Sequence, residues 1–270
     1  MKEDNIILEK SLANLIGVGV VSIVNYSSQF KGVIQSVFSS VLVSVMVPRL
    51  SLSFVTGDSM EFQRVIKENI FITFGSLSLI VPFLFGGAPS IVEFLFNHGR
   101  IDKSSIVSIV SLMRIYSLSI VGVMVYVISG LILLAQQRNK EYAAQGVFTQ
   151  IVTVIINLTF YERVGPSVFP LSLLISHLMA GILMFNSVHN LDKRMILIYF
   201  SKYIFATIFL SAIMQFATSY VTILINNVII QLIAEVIVLM LTSLTIGGIT
   251  GLDINFYRRR LRLMYAYFFR

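Results

Sequence analysis

The chain has 270 residues, 56% of them hydrophobic and only 12% charged, with a formal net charge of +7 and a mean hydropathy of +0.87. A soluble domain of this length needs a charged surface that such a composition does not supply, so the chain reads as an integral membrane protein with several spans. The basic balance, which in a soluble protein would point to nucleic acid, is here the usual excess of Lys and Arg in cytoplasmic loops, and no nucleic-acid partner is expected.

Cysteine is absent, and His98, His177 and His189 stand far apart. No disulfide framework, metal site or cofactor is therefore expected. The start, Met1 to Lys10, mixes acids and bases and leads into no small-residue cleavage pattern, so the spans themselves are expected to target the chain.

Eight apolar segments follow in order. The first, Asn5 to Ile16, is short and interrupted by Glu9 and Lys10. The second runs from Val18 to Val47 and stops at Pro48-Arg49. The third runs from Val65 to Phe85 and ends at Gly86-Gly87. The fourth spans Ile106 to Ala135. The fifth, Ala144 to Phe160, is closed by Gly165-Pro166. The sixth spans Phe169 to Val188 and the seventh Ile198 to Ile225. The eighth, Val228 to Thr250, is closed by Gly251, and the gap Asn226-Asn227 makes the last two an antiparallel hairpin. The runs are too long, and too uniformly apolar, for the alternating strands of a membrane barrel. The fold class expected is all-α, a polytopic helical bundle.

Orientation follows from the loops. Arg49, Arg64, Lys67, Arg138, Lys140, Lys193, Arg194, Lys202, Arg258, Arg259, Arg260, Arg262 and Arg270 fall on one side, and Arg100, Lys103 and Arg163 on the other, thirteen against three. The basic side is cytoplasmic by the positive-inside rule, so the C-terminus is expected in the cytoplasm, and with eight spans the N-terminus also.

Ionisable residues inside spans are expensive and so are functional candidates; here they are Lys31, Arg114 and Glu235. Lys31 sits about thirteen residues into its span, roughly 20 Å at 1.5 Å per residue, too deep to snorkel easily. Arg114 lies near enough to the outer interface for snorkelling, and Glu235 also suits a helix-packing contact. On the second span Asn25, Ser28, Gln29, Gly32, Ser36, Ser39 and Ser40 recur at spacings of three and four and share one face. Such a stripe is either a close-packing seam or the wall of a water-filled path. The bulky amides of Asn25, Gln29 and nearby Gln35 favour the second, with Lys31 on the stripe's flank. Asn157, His177, Asn186 and Gln215 read as interhelical hydrogen-bonding residues. No catalytic constellation appears, and an enzyme is not expected.

Three segments carry a further signal: Val24-Asn25-Tyr26-Ser27 leading to Val47-Pro48-Arg49-Leu50-Ser51, then Glu93-Phe94-Leu95-Phe96-Asn97-His98-Gly99-Arg100-Ile101-Asp102, then Gly165-Pro166 before an apolar helix. In that order they resemble the MurJ/MviN family of lipid II flippases, within the superfamily that includes MATE exporters and polysaccharide flippases. The resemblance implies the C-terminal part of such a transporter. Residues 1–190 would be one lobe with a truncated first helix, 191–252 an extra helix pair and 253–270 a basic cytoplasmic tail. It implies a bacterial cytoplasmic-membrane protein that helps move an undecaprenyl-pyrophosphate-linked sugar by alternating access. Membrane lipid and an N-terminal lobe or partner chain would be its partners. It also implies a substrate site drawn from Asn25, Ser28, Gln29, Lys31, Gln35, Ser36 and Arg114. One departure stands out: where the family continues Asp-Arg after the Asn-Tyr pair, with an acid three residues beyond the Arg, this chain has Ser28, Gln29 and Gly32. Gln29 offers hydrogen bonds but no charge. The alternatives are a non-transporting remnant, half of a split transporter, and a MATE-like exporter.

Overall fold

A computed structural model describes residues 2–96, 101–188 and 193–250. The expected basic tail, 253–270, lies outside the described residues, as do His98, Arg100 and His189. Ten α-helices appear among the described residues: α1 (Lys2–Ile16), α2 (Val20–Val41), α3 (Val47–Val55), α4 (Ser59–Gly86), α5 (Ala88–Phe96), α6 (Lys103–Ala135), α7 (Asn139–Val164), α8 (Val168–Ser187), α9 (Lys193–Leu224) and α10 (Val228–Thr250). All are helical for the reason membranes impose: in hydrocarbon, backbone groups must find their partners within the segment.

The eight expected segments become ten helices through two differences. The second segment does not stop at Pro48; it continues to Val55, with a π-helical turn at Leu42–Met46 between α2 and α3. A proline inside a helix has no N–H to give and its ring crowds the carbonyl four residues back, here Ser44. Widening the preceding turn relieves that crowding without ending the helix. The second addition is α5, nine residues long, which starts directly after Gly87.

Several boundaries follow local chemistry. Asp58 caps α4 by accepting from the Glu61 N–H at 2.9 Å. Asp102 caps α6 by accepting from the Ser105 N–H at 3.1 Å. The hydroxyls of Ser104 and Ser105 also donate to Asp102 and hold its carboxyl below the ordinary aspartate value. Gly165-Pro166 forms a single 3₁₀ turn between α7 and α8. Asn227 Oδ1 accepts from Ile229 N–H at 3.0 Å and so starts α10.

Helix α6 is the centre of the bundle, packed against α8, α2 and α4, while α7 covers α8. Contact with α8 is close because both helices offer glycine. A Cβ on Gly122 would stand 2.8 Å from the Leu174 carbonyl, and one on Gly181 would stand 2.9 Å from the Tyr126 nitrogen. Helix α9 lies along α4, with Phe200 edge-on to Phe74 at 4.8 Å and to Phe185 at 6.0 Å. Helix α10 packs on α9, α5 and α4. At the far end of α2–α3, Arg49 joins α4 through Glu61 at 2.6 Å and Glu68 at 3.2 Å, and Arg64 meets Glu68 at 3.2 Å. Among the described residues, five stretches are long and apolar enough to cross a membrane: 20–55, 59–86, 103–135, 139–187 (which holds both α7 and α8) and 196–224. The chain is a multi-pass membrane protein.

Candidate functional site: a polar cavity between α1, α2, α7 and α8

Helix α2 has an inner face and an outer face. Val24 and Ser27 are buried against α6, where the Ser27 hydroxyl donates to the Ile109 carbonyl at 3.2 Å as well as to its own helix. Beside this inner face runs an arc that faces a cavity. Asn25, Ser28 and Lys31 line one compartment of about 250 Å³, and Lys31, Gly32, Gln35, Ser36 and Ser39 line a second of about 590 Å³. Ile6, Glu9, Lys31 and Leu173 belong to both, so the two are joined there, with Lys31 and Glu9 the charged groups at the junction.

The expected site residues therefore divide. Asn25, Ser28, Lys31, Gln35 and Ser36 come together on the cavity wall. At 100° per residue, the cavity-facing positions cover roughly 140° of the helix, and the arc is turned toward Lys31 relative to the polar stripe. Lys31 thus sits at the junction of the compartments rather than beside them. Gln29 is exposed and lines neither compartment, falling just past the other edge of the arc with Ser40. Arg114 lies apart: it is half-buried on α6, donates from Nε to the Phe85 carbonyl at 3.2 Å and rests over the Phe85 ring.

The opposite walls carry polar groups that the sequence reading left out of the site. Glu9 of α1 accepts from the Tyr116 hydroxyl at 3.2 Å, and the Lys31 ammonium lies 5.8 Å from the centre of the same ring. Gln150, Thr153 and Asn157 of α7, spaced three and four apart, face the cavity on one helix side. Ser172 and His177 of α8 complete the wall. Thr153 donates to Ser176 at 2.8 Å, and His177 Nδ1 is 2.9 Å from the Leu173 carbonyl. Asn157 is buried, yet its Oδ1 has no hydrogen-bond partner. The signal was present in the 3–4 spacing of α7, but single polar residues on an apolar helix look the same whether they pack or line a cavity.

Chemically, the arrangement is a polar chamber with two ammoniums, Lys10 at the smaller compartment and Lys31 at both, one carboxylate and a ring of amides and hydroxyls. It suits a hydrogen-bonding anionic group such as a phosphate. Among the described residues no group of three or more His, Asp or Glu stands close enough to hold a metal ion.

Comparisons with known proteins agree on one relationship. A family model described as the lipid II flippase MurJ matches residues 5–234. A lipid II flippase MurJ from Burkholderia cenocepacia is 24% identical over 181 residues, covering 67% of this chain and 35% of that protein. A solved structure of a lipid II flippase MurJ in an inward closed conformation superposes with a TM-score of 0.65 at 16% identity, over 90% of this chain and 52% of that one. The chain thus spans between a third and about half of the length of the relatives it matches. At that identity the superposition speaks for the fold.

Proposed function

Since the chain belongs to the lipid II flippase MurJ family, we propose that it forms one lobe of a flippase for an undecaprenyl-pyrophosphate-linked sugar in the bacterial cytoplasmic membrane. The observation that carries this reading is the polar cavity with Lys31 at its junction. A pyrophosphate head group needs a cation inside the bilayer, and the family's arginine position is Gln29 here, exposed and outside the chamber. Lys31 takes over the charge, and Asn25, Ser28, Gln35 and Ser36 supply hydrogen bonds around it. Across the cavity Gln150 and Asn157 offer further amides, and the polyprenyl tail stays in lipid.

Alternating access needs a second lobe. The support for one is that α2 leaves most of its outer surface bare, including Gln29, Val33, Val37 and Ser40. An N-terminal lobe, on the same or a separate polypeptide, would cover that surface and close the cavity, with the C-terminus cytoplasmic as the basic loops favour. Helices α9 and α10 would be the extra pair beyond the lobe. The substrate class, a lipid-linked oligosaccharide, follows from the family; the loss of the Asp-Arg pair leaves room for a sugar other than that of lipid II.

The test is flipping in reconstituted vesicles. Co-reconstitution with a six-helix N-terminal lobe is expected to give head-group translocation that Lys31→Ala abolishes and Lys31→Arg keeps. Full activity of Lys31→Ala would refute the assignment. Robust flipping by the chain alone would replace the two-lobe reading with a homodimer, and no flipping with any partner lobe would leave a non-transporting remnant.

A further inference from the structure

The two compartments of the cavity differ in what they can hold. The smaller one carries two ammoniums, Lys10 and Lys31, against the one carboxylate of Glu9. In the larger one Lys31 and Glu9 stand only at the junction, and the rest of its lining has no Asp, Glu, Lys or Arg. It has instead a set of amides and hydroxyls from three helices: Gln35 and Ser39 of α2, Gln150 and Asn157 of α7, and Ser172 of α8. At about 590 Å³ it falls within the roughly 300–1,000 Å³ of pockets that take small organic ligands.

One atom in that wall makes a specific demand. Asn157 is 5% exposed, and its Oδ1 has no hydrogen-bond partner. A buried amide oxygen needs a donor. An ionised phosphate or carboxylate has only acceptor oxygens and supplies none, whereas a sugar hydroxyl can donate. His177 adds a like demand from α8: its Nδ1 proton goes to the Leu173 carbonyl at 2.9 Å, so in the uncharged ring the other nitrogen accepts. A carboxylate in this compartment would find Lys31 as its nearest lysine or arginine, and beside it the like charge of Glu9. Glu235, the buried carboxyl on α10, makes no comparable demand, since it accepts from the Ser90 hydroxyl at 2.6 Å and hydrogen-bonds Thr218.

We propose that the cavity sorts the head group into two parts: the pyrophosphate lies in the smaller compartment with Lys10 and Lys31, and the larger compartment takes the sugar, which is an uncharged glycan. This rests on the flippase reading and narrows its substrate class. The charges set the register. A pyrophosphate diester has two ionised phosphates, and the smaller compartment has two ammoniums to meet them. The attached glycan then extends past Lys31 along α2 toward Ser39, with its hydroxyls among the amides of α7. A uronic acid, or a carboxylate-bearing substituent on the sugar, would have to leave water for a wall without a counter-charge of its own. The lining thus selects against acidic glycans as well as for neutral ones.

The purified full chain in detergent is titrated by calorimetry with undecaprenyl pyrophosphate and with the same lipid carrying glucose or glucuronic acid, which differ by a hydroxymethyl group against a carboxylate. The bare lipid tests the flippase reading, and the two sugars test the proposal. Glucose is expected to tighten binding over the bare lipid by about 10-fold, and glucuronic acid to bind about 10-fold to 100-fold more weakly than glucose. In Asn157→Leu the advantage of glucose over the bare lipid should shrink. Ser39→Lys puts a cation into the larger compartment and is expected to erase the discrimination against glucuronic acid; it reads a gain of binding and does not depend on how Asn157→Leu folds. Binding of the glucuronic acid lipid as tight as that of the glucose lipid, no advantage of glucose over the bare lipid, an undiminished advantage in folded Asn157→Leu, or unchanged discrimination in Ser39→Lys would each overturn the proposal while leaving the flippase reading in place. Failure of all three lipids to bind would remove that reading and the proposal with it.

Discussion

Replacing Lys31 by Met keeps the length and apolar stem of the side chain and removes only its charge, so it isolates what the ammonium contributes to head-group binding. The magnitude follows from where Lys31 sits. Its neighbours are Asn25, Ser28, Gln35 and Ser36 rather than lipid, and the two compartments it joins total several hundred cubic ångströms, enough for water. The effective dielectric there is nearer 20 than 4, and a unit charge about 4 Å from one phosphate charge is worth at most ~4 kcal/mol. Hydrogen bonds to charged groups measured in proteins contribute about 1.5–3 kcal/mol net. Lys31→Met is therefore expected to weaken binding of undecaprenyl pyrophosphate by about 10-fold to 100-fold, at about 1.4 kcal/mol per factor of ten. Titration calorimetry in detergent reads this directly, with Lys31→Arg as the charge-preserving control and unchanged far-UV circular dichroism as the folding control. Glu9→Gln supplies the opposite arm. Glu9 shares the cavity with Lys31 and is attracted to it, so removing its charge releases the ammonium and is expected to tighten binding. Equal affinity for Lys31→Met and the unsubstituted chain would refute the reasoning. So would weaker binding in Glu9→Gln, which would show the carboxylate acting for the ligand rather than against it.

Other outcomes are accessible with simpler measurements. Gly122→Leu or Gly181→Leu drives a side chain into backbone 2.8–2.9 Å away and is expected to cost about 1–3 kcal/mol each. Gly146→Ala meets only the Tyr126 hydroxyl at 3.5 Å, and its midpoint of thermal unfolding should not move. Arg49→Ala is expected to destabilise by about 1–2 kcal/mol, between the values for exposed and buried pairs, because Arg49 serves both Glu61 and the nearly buried Glu68. Arg64→Ala should cost less, since Arg64 is 68% exposed. Single cysteines in this cysteine-free chain test accessibility: those at Ser36 and Ser39 should react with small hydrophilic reagents. A cysteine at Ser104 should react without permeabilisation, and reaction only after permeabilisation would reverse the topology.

Much of the architecture was legible because membranes leave few choices. Long apolar runs between Gly, Pro and Asn breaks had to be helices, and the breaks at Gly86-Gly87, Gly165-Pro166 and Asn226-Asn227 fall where the structure turns. Two elements were hidden for local reasons. Pro48 normally announces an end, but a π turn takes up its ring and lets the helix run on to Val55. Helix α5, with Pro89 in its first turn, is too short to show a period or to span a bilayer. At the cavity, the 3–4 spacing picked out α2 and most of the α2 residues that line it. What it did not give was the rotation of α2, which depends on Ser27 reaching the Ile109 carbonyl across to α6. With Val24 buried beside it, that contact is part of the packing on α6 that goes with Lys31 turned inward and Gln29 outside. Arg114 was legible as a buried charge but not as one held by the Phe85 carbonyl, a partner 29 residues away.

If a second lobe completes the transporter, as proposed, the bare surface of α2 bears on where it would touch. The serines of the stripe are cheap to expose to lipid: Ser28 donates to the Asn25 carbonyl, Ser36 to the Val33 carbonyl and Ser44 to the Ser40 carbonyl, so each hydroxyl proton is already used within the helix. The valines between and beyond them, Val33, Val37, Val41 and Val45, are exposed and fully compatible with acyl chains. An amide is different, because its two N–H donors and its carbonyl cannot all be met by one's own helix. The exposed amides of α2 are Asn25, which borders the smaller compartment, and Gln29, one turn on and outside the cavity. The demand for polar partners is thus concentrated in the first half of α2, and the Ser–Val half from residue 36 onward tolerates either lipid or protein. A second lobe that met α2 only at that later half would leave the Gln29 amide in hydrocarbon, at several kcal/mol for each unmet group. The proposed contact between lobes would then fall near Gln29, about one turn or less along α2 from Lys31, where the two compartments join, so that closing the lobes would also enclose a bound head group.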